Sequence, residues 1–286
     1  MSFDANAHRD SSLEGWEAAA PGWVRRQALM REFAAPVSHR MIEALALQPG
    51  ERVLELAAGL GETGMLAAEV LAPLGGVVIS DQAEAMLSGA RERALELGLS
   101  NVEFKVLNAE WIDLPLASVD AVLCRWGYML MADPAAALAE TRRVLRPGGR
   151  VALAVWDAIE SNPWALLPAQ ELIERGLAPA PSVDEQPRPG PFALGDAEQV
   201  SELLMEAGFF DVEVEALDLV RRHPSFAELW ETTLDLSPSF HDAVLSRPAS
   251  EIAEIESSLG ERFAPYTSAD GALEIPARTL IASASA

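Results

Sequence analysis

Arg52-Val-Leu-Glu-Leu-Ala-Ala-Gly-Leu-Gly-Glu-Thr-Gly64 is the stretch on which the fold turns. Its first half, Arg52 to Leu56, is a short apolar run of the kind that forms a buried strand. Its second half places Gly59, Gly61 and Gly64 in a G-x-G-x-x-G spacing before a helix predicted over 62–71. Glycines at a strand-to-helix turn permit backbone conformations closed to other residues and let a ligand approach the main chain, while the helix start offers free N–H groups. Asp81 ends the next apolar run, Val77 to Ser80, at about the 20-residue separation where a carboxylate meets ribose hydroxyls.

Outward from this turn, strands and helices alternate. A helix is predicted over 83–97, stopped by Gly98, then strands over 102–107 and 119–124. Asp133 and Pro134 read as the N-cap and first residue of a further helix, and Pro147-Gly148-Gly149 turns the chain into a fifth strand, 150–156. Such alternation means right-handed βαβ units and a parallel sheet. Residues 157–195 interrupt it with one helix and a proline-rich loop from Ala178 to Gly195. Order resumes with Asp196 and Gln199 in a capping-box spacing, a strand over 212–220, helices within 224–264 and a last strand over 277–284. Before the first strand, 1–50 reads as helical, with a break at Pro21-Gly22 and with Ser38 as a helix cap. The expected organisation is one domain over 1–286: a helical cap (1–50), a cofactor-binding core (51–156), an inserted lid (157–195) and the remainder of the sheet and cap (196–286).

Composition narrows the function. Half the residues are apolar, enough for a sizeable core. The formal net charge of −23 repels phosphate backbones and anionic lipid, so neither nucleic acid nor a membrane surface is an expected partner. A single cysteine, Cys124, excludes an internal disulfide framework and any cysteine-based zinc centre, and no metal site is expected. Neither a signal peptide nor an apolar run of about 20 residues is present, which points to the cytoplasm.

The glycine turn alone fits dinucleotide binders as well as other nucleotide-binding folds. Glu55, an acid inside the first strand and well placed to meet an ammonium group, argues against a nicotinamide or flavin fingerprint. So do the long N-terminal segment and the turn Asn108-Ala109-Glu110-Trp111, whose polar atoms and aromatic face suit an adenine ring. The string from Pro49 to Gly61 resembles motif I of class I methyltransferases, and the matches continue in order: Ile79 to Leu87, Asn108 to Glu110, Val119 to Trp126, Arg142 to Leu153 and Ala207 to Phe209. The resemblance is to the branch containing ubiquinone and menaquinone C-methyltransferases. It implies a Rossmann-like, seven-stranded, mostly parallel sheet with the last strand antiparallel, helices on both faces and a helical cap.

It further implies S-adenosyl-L-methionine as cofactor, S-adenosyl-L-homocysteine as product and a small-molecule acceptor. Glu55, Ala57, Gly59 and Gly61 would face the methionine part of the cofactor, Asp81 and Gln82 the ribose, and Asn108, Ala109 and Glu110 the adenine. Cys124 would lie under the sulfonium, with Arg125 beside it. Asn108 stands where the family usually has aspartate. Each position also has a structural reading: Glu55 as a buried acid paired with an arginine, Asp81 as a helix cap, Cys124 as a small core residue, Trp111 as core or adenine wall. Trp23, Arg125, Trp126 and Trp164 are the candidates for an acceptor pocket, with Trp16 beside them. No motif places a general base; His223 and His241, in the C-terminal region, are the candidates. Two alternatives stay open: an NAD(P)-dependent oxidoreductase, and a cofactor-binding protein of this fold that transfers no methyl group. Homodimerisation is left open.

Overall fold

The structure, a computed structural model, describes residues 3–179 and 188–286. Seven strands form one sheet: β1 (Arg52–Glu55), β2 (Gly76–Asp81), β3 (Val102–Val106), β4 (Val119–Arg125), β5 (Leu145–Trp156), β6 (Phe210–His223) and β7 (Leu273–Ser285). Their order is β3-β2-β1-β4-β5-β7-β6. The first five are parallel, and β7 runs antiparallel to both β5 and β6. The expected Rossmann-like sheet with one antiparallel strand is therefore present.

Central strands of a parallel sheet are covered on both faces, so they must be apolar almost throughout. Val53, Leu54, Val78, Ile79, Ala121, Val122 and Leu123 are all buried. The strand order reverses between β1 and β4, and the diverging connections there leave a crevice beyond their carboxyl ends. Helices α3 (Glu62–Leu71), α4 (Glu84–Glu96) and α5 (Pro134–Val144) cross between the strands. Asp133 caps α5 as the sequence predicts, accepting from the Ala136 N–H at 2.9 Å.

The N-terminal cap is two helices, α1 (Ala5–Arg25) and α2 (Gln27–Leu45). The expected break at Pro21-Gly22 does not occur; both residues sit inside α1, and the chain turns at Arg26. Tertiary anchoring overrides the local breaker. Arg26 donates to Asp235, Glu228 and Glu231, and Gly22 packs so close that an added Cβ would lie 2.2 Å from the Asp235 carbonyl oxygen. Ser38 likewise caps nothing. It lies in the middle of α2, buried, with its hydroxyl 2.9 Å from that of Thr63 on α3.

β6 and β7 are longer than expected and carry helices between them: α8 (Phe226–Leu236), α9 (Pro238–Leu245) and α10 (Ala249–Phe263). These enclose a second apolar core with Leu172 of α6 (Pro163–Glu174), built on Leu229, Trp230, Ile255, Leu259 and Phe263. α7 (Ala197–Glu206) starts at Asp196, whose side chain accepts from the Gln199 N–H. Part of the expected lid loop, 180–187, lies outside the described residues. Among the described residues no helix is long and apolar enough to cross a membrane.

Asn162, the residue that precedes α6, is fully buried. Its amide nitrogen donates to the carbonyls of Asp157, Ala158 and Arg278, and its oxygen accepts from the Trp164 indole and the Arg278 N–H. Asn162→Ala removes the partner of the Trp164 indole, the Arg278 N–H and the Asp157 carbonyl, while the Ala158 and Arg278 carbonyls keep the Ser161 and Asp157 N–H groups; each unmet group costs about 1–3 kcal/mol. Relaxation and water entry recover part of that, so the expected net loss is about 3 kcal/mol, read as a fall of several degrees in Tm.

Candidate active site

The β1–α3 turn is built by hydrogen bonds to its neighbours. Leu56 donates to Leu123 of β4 and Ala58 to Ser80 of β2, at 2.8 and 2.9 Å. Ala57, Gly59 and Gly61 all have positive φ (48°, 55° and 74°), a geometry that suits glycine and strains alanine. Asp81 locks this turn to the next. One carboxylate oxygen accepts from the Gly59 N–H at 2.8 Å and the other from the Ala83 N–H at 2.9 Å. Asp81 faces the crevice, but it is not the cap of α4: its bond to Ala83 lies ahead of the helix, whose first N–H groups, Glu84 and Ala85, donate to Glu17. Burial pushes its carboxyl above the ordinary range, against the pull of the surrounding N–H groups.

Beyond these strand ends lies a cleft open to solvent. Ala57, Gly59, Asp81, Gln82, Asn108, Ala109 and Glu110 line it, as do Trp23 and Trp126. The glycine turn, the second-strand acid and the third-strand turn, far apart in the chain, therefore converge on one site. The opposite wall is α1, through His8, Arg9, Ser12, Trp16 and Trp23. The spacing of Trp16 and Trp23, two helical turns apart, is the signal that puts them on one face; their rings meet at 5.7 Å. The Trp23 indole N–H is buried without a partner on this wall, a donor with nothing of the protein to accept it.

Polar contacts hold α1 across the cleft. Arg9 pairs with Glu110, Ser12 accepts from Gln82, and Glu17 accepts from the Glu84 and Ala85 N–H groups at the start of α4. These contacts revise one expectation. The Glu110 carboxylate is committed to Arg9 and to the Ala132 N–H, so it latches the cap and is not a free acceptor for an adenine amine. The Asn108 side-chain oxygen accepts from the Glu110 N–H and braces the same turn. Trp111 is neither core nor wall: it is 78% exposed and does not line the cleft.

Other candidates sit behind the cleft surface. Gly61 shapes the turn from below, packed near Ile79, Met65 and Ala90. Glu55 is buried beneath the turn, one oxygen without a partner, so close to Gly64 that a Cβ there would lie 2.3 Å from it. Burial drives its pKa up to about 8, opposed by the nearby Arg125 charge and the Gly64 N–H. No ion pair joins Glu55 to Arg125, whose Nε donates to the Thr63 hydroxyl at 3.0 Å while its guanidinium stacks 4.8 Å from the Trp126 ring centre. The Cys124 thiol is wholly buried under Gly127, and burial pushes its pKa up to about 12, which removes it as a nucleophile.

Trp126 reaches from the cleft into an aromatic stack that sequence reading did not assemble. It lies 4.3 Å from Trp156 and 6.1 Å from Phe33, and Trp156 lies 5.0 Å from Trp164. The Trp126 indole donates to the Thr279 hydroxyl at 3.0 Å and its own N–H to Ala154 at 2.7 Å, which together hold a tryptophan at φ 60°. Of the two histidine candidates, His241 is exposed beside Asp242. His223 is buried, with Nδ1 on Glu228 and Nε2 free of partners, and burial lowers its pKa. Among the described residues no cluster of three acids, histidines or cysteines is disposed to hold a metal.

Comparison with known proteins agrees with this geometry. Residues 47–178 match the family model of a methyltransferase domain. A ubiquinone/menaquinone biosynthesis C-methyltransferase UbiE of Pseudomonas putida is 29% identical over 197 residues, 63% of this chain and 75% of that one. The UbiE of Pseudomonas fluorescens is 35% identical over 129 residues, 43% of this chain and 50% of that one, so the chain spans about half its length. An uncharacterised 37.1 kDa transposon protein of Streptomyces fradiae, 34% identical over 165 residues, covers 55% of this chain and is itself spanned over 47%. In fold, the chain is similar to YcgJ of Bacillus subtilis (TM-score 0.56, 18% identity, 87% and 97% of the two chains). It is also similar to the [4+2]-cyclase SpnF (TM-score 0.54, 16% identity, 94% and 95%), so the fold by itself does not name a reaction. The domain match over residues 47–178, the motifs in order and the sheet with its one antiparallel strand together make the chain similar to methyltransferase domains on a Rossmann-like fold.

Proposed function

We propose that this protein transfers a methyl group from S-adenosyl-L-methionine to a small-molecule acceptor, leaving S-adenosyl-L-homocysteine. The observation that carries the reading is Asp81, bound to the Gly59 N–H and facing the cleft where the strand order reverses. The cleft fits such a cofactor by what it leaves unmet, a glycine turn with room for a ligand and a free indole N–H at Trp23, and an orphaned carboxylate oxygen at Glu55 lies buried beneath that turn. Asp81 and Gln82 would hold the ribose, Asn108 and Ala109 the adenine, and the Ala57–Gly59 turn, with Glu55 behind it, the amino-acid end. When bound, the cofactor supplies an electrophilic methyl on a sulfonium sulfur.

The protein's part is then to align and to exclude water. α1 and its latches would close the cleft over the cofactor. Trp126 and Gly127, at the end of β4, form the wall nearest the acceptor side. If the acceptor carries its proton until attack, His223 would be the candidate to take it, supported by Glu228, which orients the ring and leaves Nε2 free, though the ring is buried and does not line the cleft. A cytoplasmic setting and one continuous domain, with 1–50 as cap and 157–195 as lid, belong to the same proposal. Neither the oxidoreductase nor the non-transferring reading is favoured by the matched domain.

Titration calorimetry with S-adenosylhomocysteine, and with NADH as control, tests the cofactor assignment. Micromolar binding of the nucleoside and none of NADH is the expected result; the reverse would replace the reading with a dehydrogenase.

A further inference from the structure

Helix α1 lies along the cleft, and its contacts give the direction in which it runs. Arg9, near its start, reaches Glu110 in the turn after β3. Ser12, one turn on, meets Gln82 at the end of β2. At the far end the chain passes over the glycine turn. Val24 and Leu60 crowd Gly89 of α4 together, where an added Cβ would lie 3.1 and 2.8 Å from them, and Gln27 donates to Glu62, the first residue of α3, at 2.9 Å. Trp23 belongs to this end: its ring packs on the cluster that Leu60 forms with Ala20, Ala83 and Met86. A helix rises about 1.5 Å per residue, so Trp23 stands roughly 20 Å along α1 from Arg9. The helix therefore meets the adenine turn, the ribose strand end and the glycine turn in that order.

Trp23 lines the cleft, and its indole nitrogen is buried with no group of the protein accepting from it. An indole nitrogen only donates, so an acceptor alone can satisfy it, and a buried donor left unmet is costly. The Trp16 ring, edge-on at 5.7 Å, holds the indole in place. The charges around the cleft say which acceptor is short of donors. Among the described residues that line it, the basic ones are His8 and Arg9. Both stand at the adenine end and both are engaged, His8 with the Leu130 carbonyl and Arg9 with Glu110. The glycine-turn end has no lining cation of its own, while two acids, Asp81 and the buried Glu55, lie beside and beneath it. A ligand carboxylate at that end has the backbone N–H groups of the turn and one oriented side-chain donor, Trp23.

We propose that the Trp23 indole N–H donates to the carboxylate of the amino-acid end of S-adenosyl-L-methionine, so that the cap reads the acid of the ligand while Glu55 stands behind its ammonium. A hydrogen bond to a charged acceptor is stronger than one between neutral groups, and here it forms in a site shielded from water. Because the donor sits on α1, the bond forms only with the cap down on the glycine turn. Trp23 then belongs to the cofactor and not to the acceptor pocket that the sequence suggests. The inference deepens the cofactor reading above and rests on it.

The probes are S-adenosylhomocysteine and S-adenosyl-3-thiopropylamine, which keeps the adenosine, the thioether and the amine and lacks only the carboxylate. Both are titrated calorimetrically into the full chain and into Trp23→Phe, which keeps an aromatic ring and removes the N–H. The wild-type protein is expected to bind the acid roughly tenfold or more tighter than its decarboxylated analogue. Trp23→Phe is expected to lose roughly tenfold in affinity for the acid and to bind the analogue as the wild type does, which also shows the variant folded with its cleft intact. An equal loss for both ligands makes Trp23 a packing residue of the cap and overturns the proposal, as does undiminished binding of the acid in Trp23→Phe. Equal wild-type affinity for the two ligands overturns it without any variant. In each of these cases the nucleoside still binds and the cofactor reading stands. If the wild-type protein binds neither nucleoside, the cofactor reading falls and the proposal falls with it.

Discussion

Asp81→Ala is expected to weaken S-adenosylhomocysteine binding by a factor of 100 or more. The side chain has three jobs, and alanine does none of them. It holds the Gly59 N–H, which fixes the glycine turn in its left-handed conformation. It holds the Ala83 N–H in the turn ahead of α4. Its remaining acceptor capacity faces the cleft, where it is proposed to meet ribose hydroxyls. A hydrogen bond to a charged group is worth about 1.5–3 kcal/mol, so losing the ligand contacts together with the preformed turn amounts to about 3–6 kcal/mol of binding. The bond to the Ala83 N–H accounts for about a further 1 kcal/mol of stability, seen as a modest fall in Tm. Asp81→Asn, which keeps one acceptor oxygen, is expected to fall between the two. Calorimetry decides it: wild-type affinity in a folded Asp81→Ala protein would move the ligand elsewhere in the cleft.

The parts of this site that can be read from the chain are those set by local rules. A buried parallel strand has to be apolar, so 52–56 and 119–124 announce themselves; a left-handed turn prefers glycine, so Gly59 and Gly61 do too. Asp133-Pro134 starts a helix through nearest-neighbour hydrogen bonds and was legible for that reason. What escapes is whatever depends on partners distant in sequence. Pro21-Gly22 stays helical because α8 holds it, over a separation of more than 200 residues. Glu110 looks like a ligand group until Arg9, 101 residues earlier, takes its carboxylate. The aromatic stack is contributed by Phe33, Trp126, Trp156 and Trp164, four separate segments whose side chains share no period. The far end of β6 was hidden differently: a strand that buries a polar residue such as His223 on its inner face loses the alternation by which it is recognised, so β6 runs past the predicted 212–220.

Glu55→Gln is expected to flatten the pH dependence of stability and to abolish proton release on ligand binding. The carboxyl is buried under the turn and its pKa is pushed up to about 8. The groups that act on it are Arg125 and the Gly64 N–H, which favour the charged form, and Asp81 and Glu62, which oppose it. In the unfolded chain the group titrates near 4.5, so between about pH 4.5 and 8 the folded state holds a proton that the unfolded state has released. Stability then falls as pH rises through that window and levels off above it. At 1.36 kcal/mol per unit the loss by pH 9 is on the order of a few kcal/mol, and glutamine, which does not titrate, removes it. Binding runs the other way. An ammonium group brought beside the orphaned oxygen favours the carboxylate, so the wild-type protein should give up a proton when S-adenosylhomocysteine binds at pH 7. Calorimetry in phosphate and in Tris, whose ionisation enthalpies differ, reads that proton directly as a difference in apparent binding enthalpy. Glu55→Gln should show no such difference and bind at least tenfold more weakly. Asp81, whose carboxyl is also raised by burial, would leave the buffer dependence in place in the Glu55→Gln protein if it were the group that ionises. A Glu55→Gln protein that binds as the wild type does, with the same buffer dependence, would assign the acid in the first strand to the packing of the turn and leave the amino-acid end of the ligand to be held by α1.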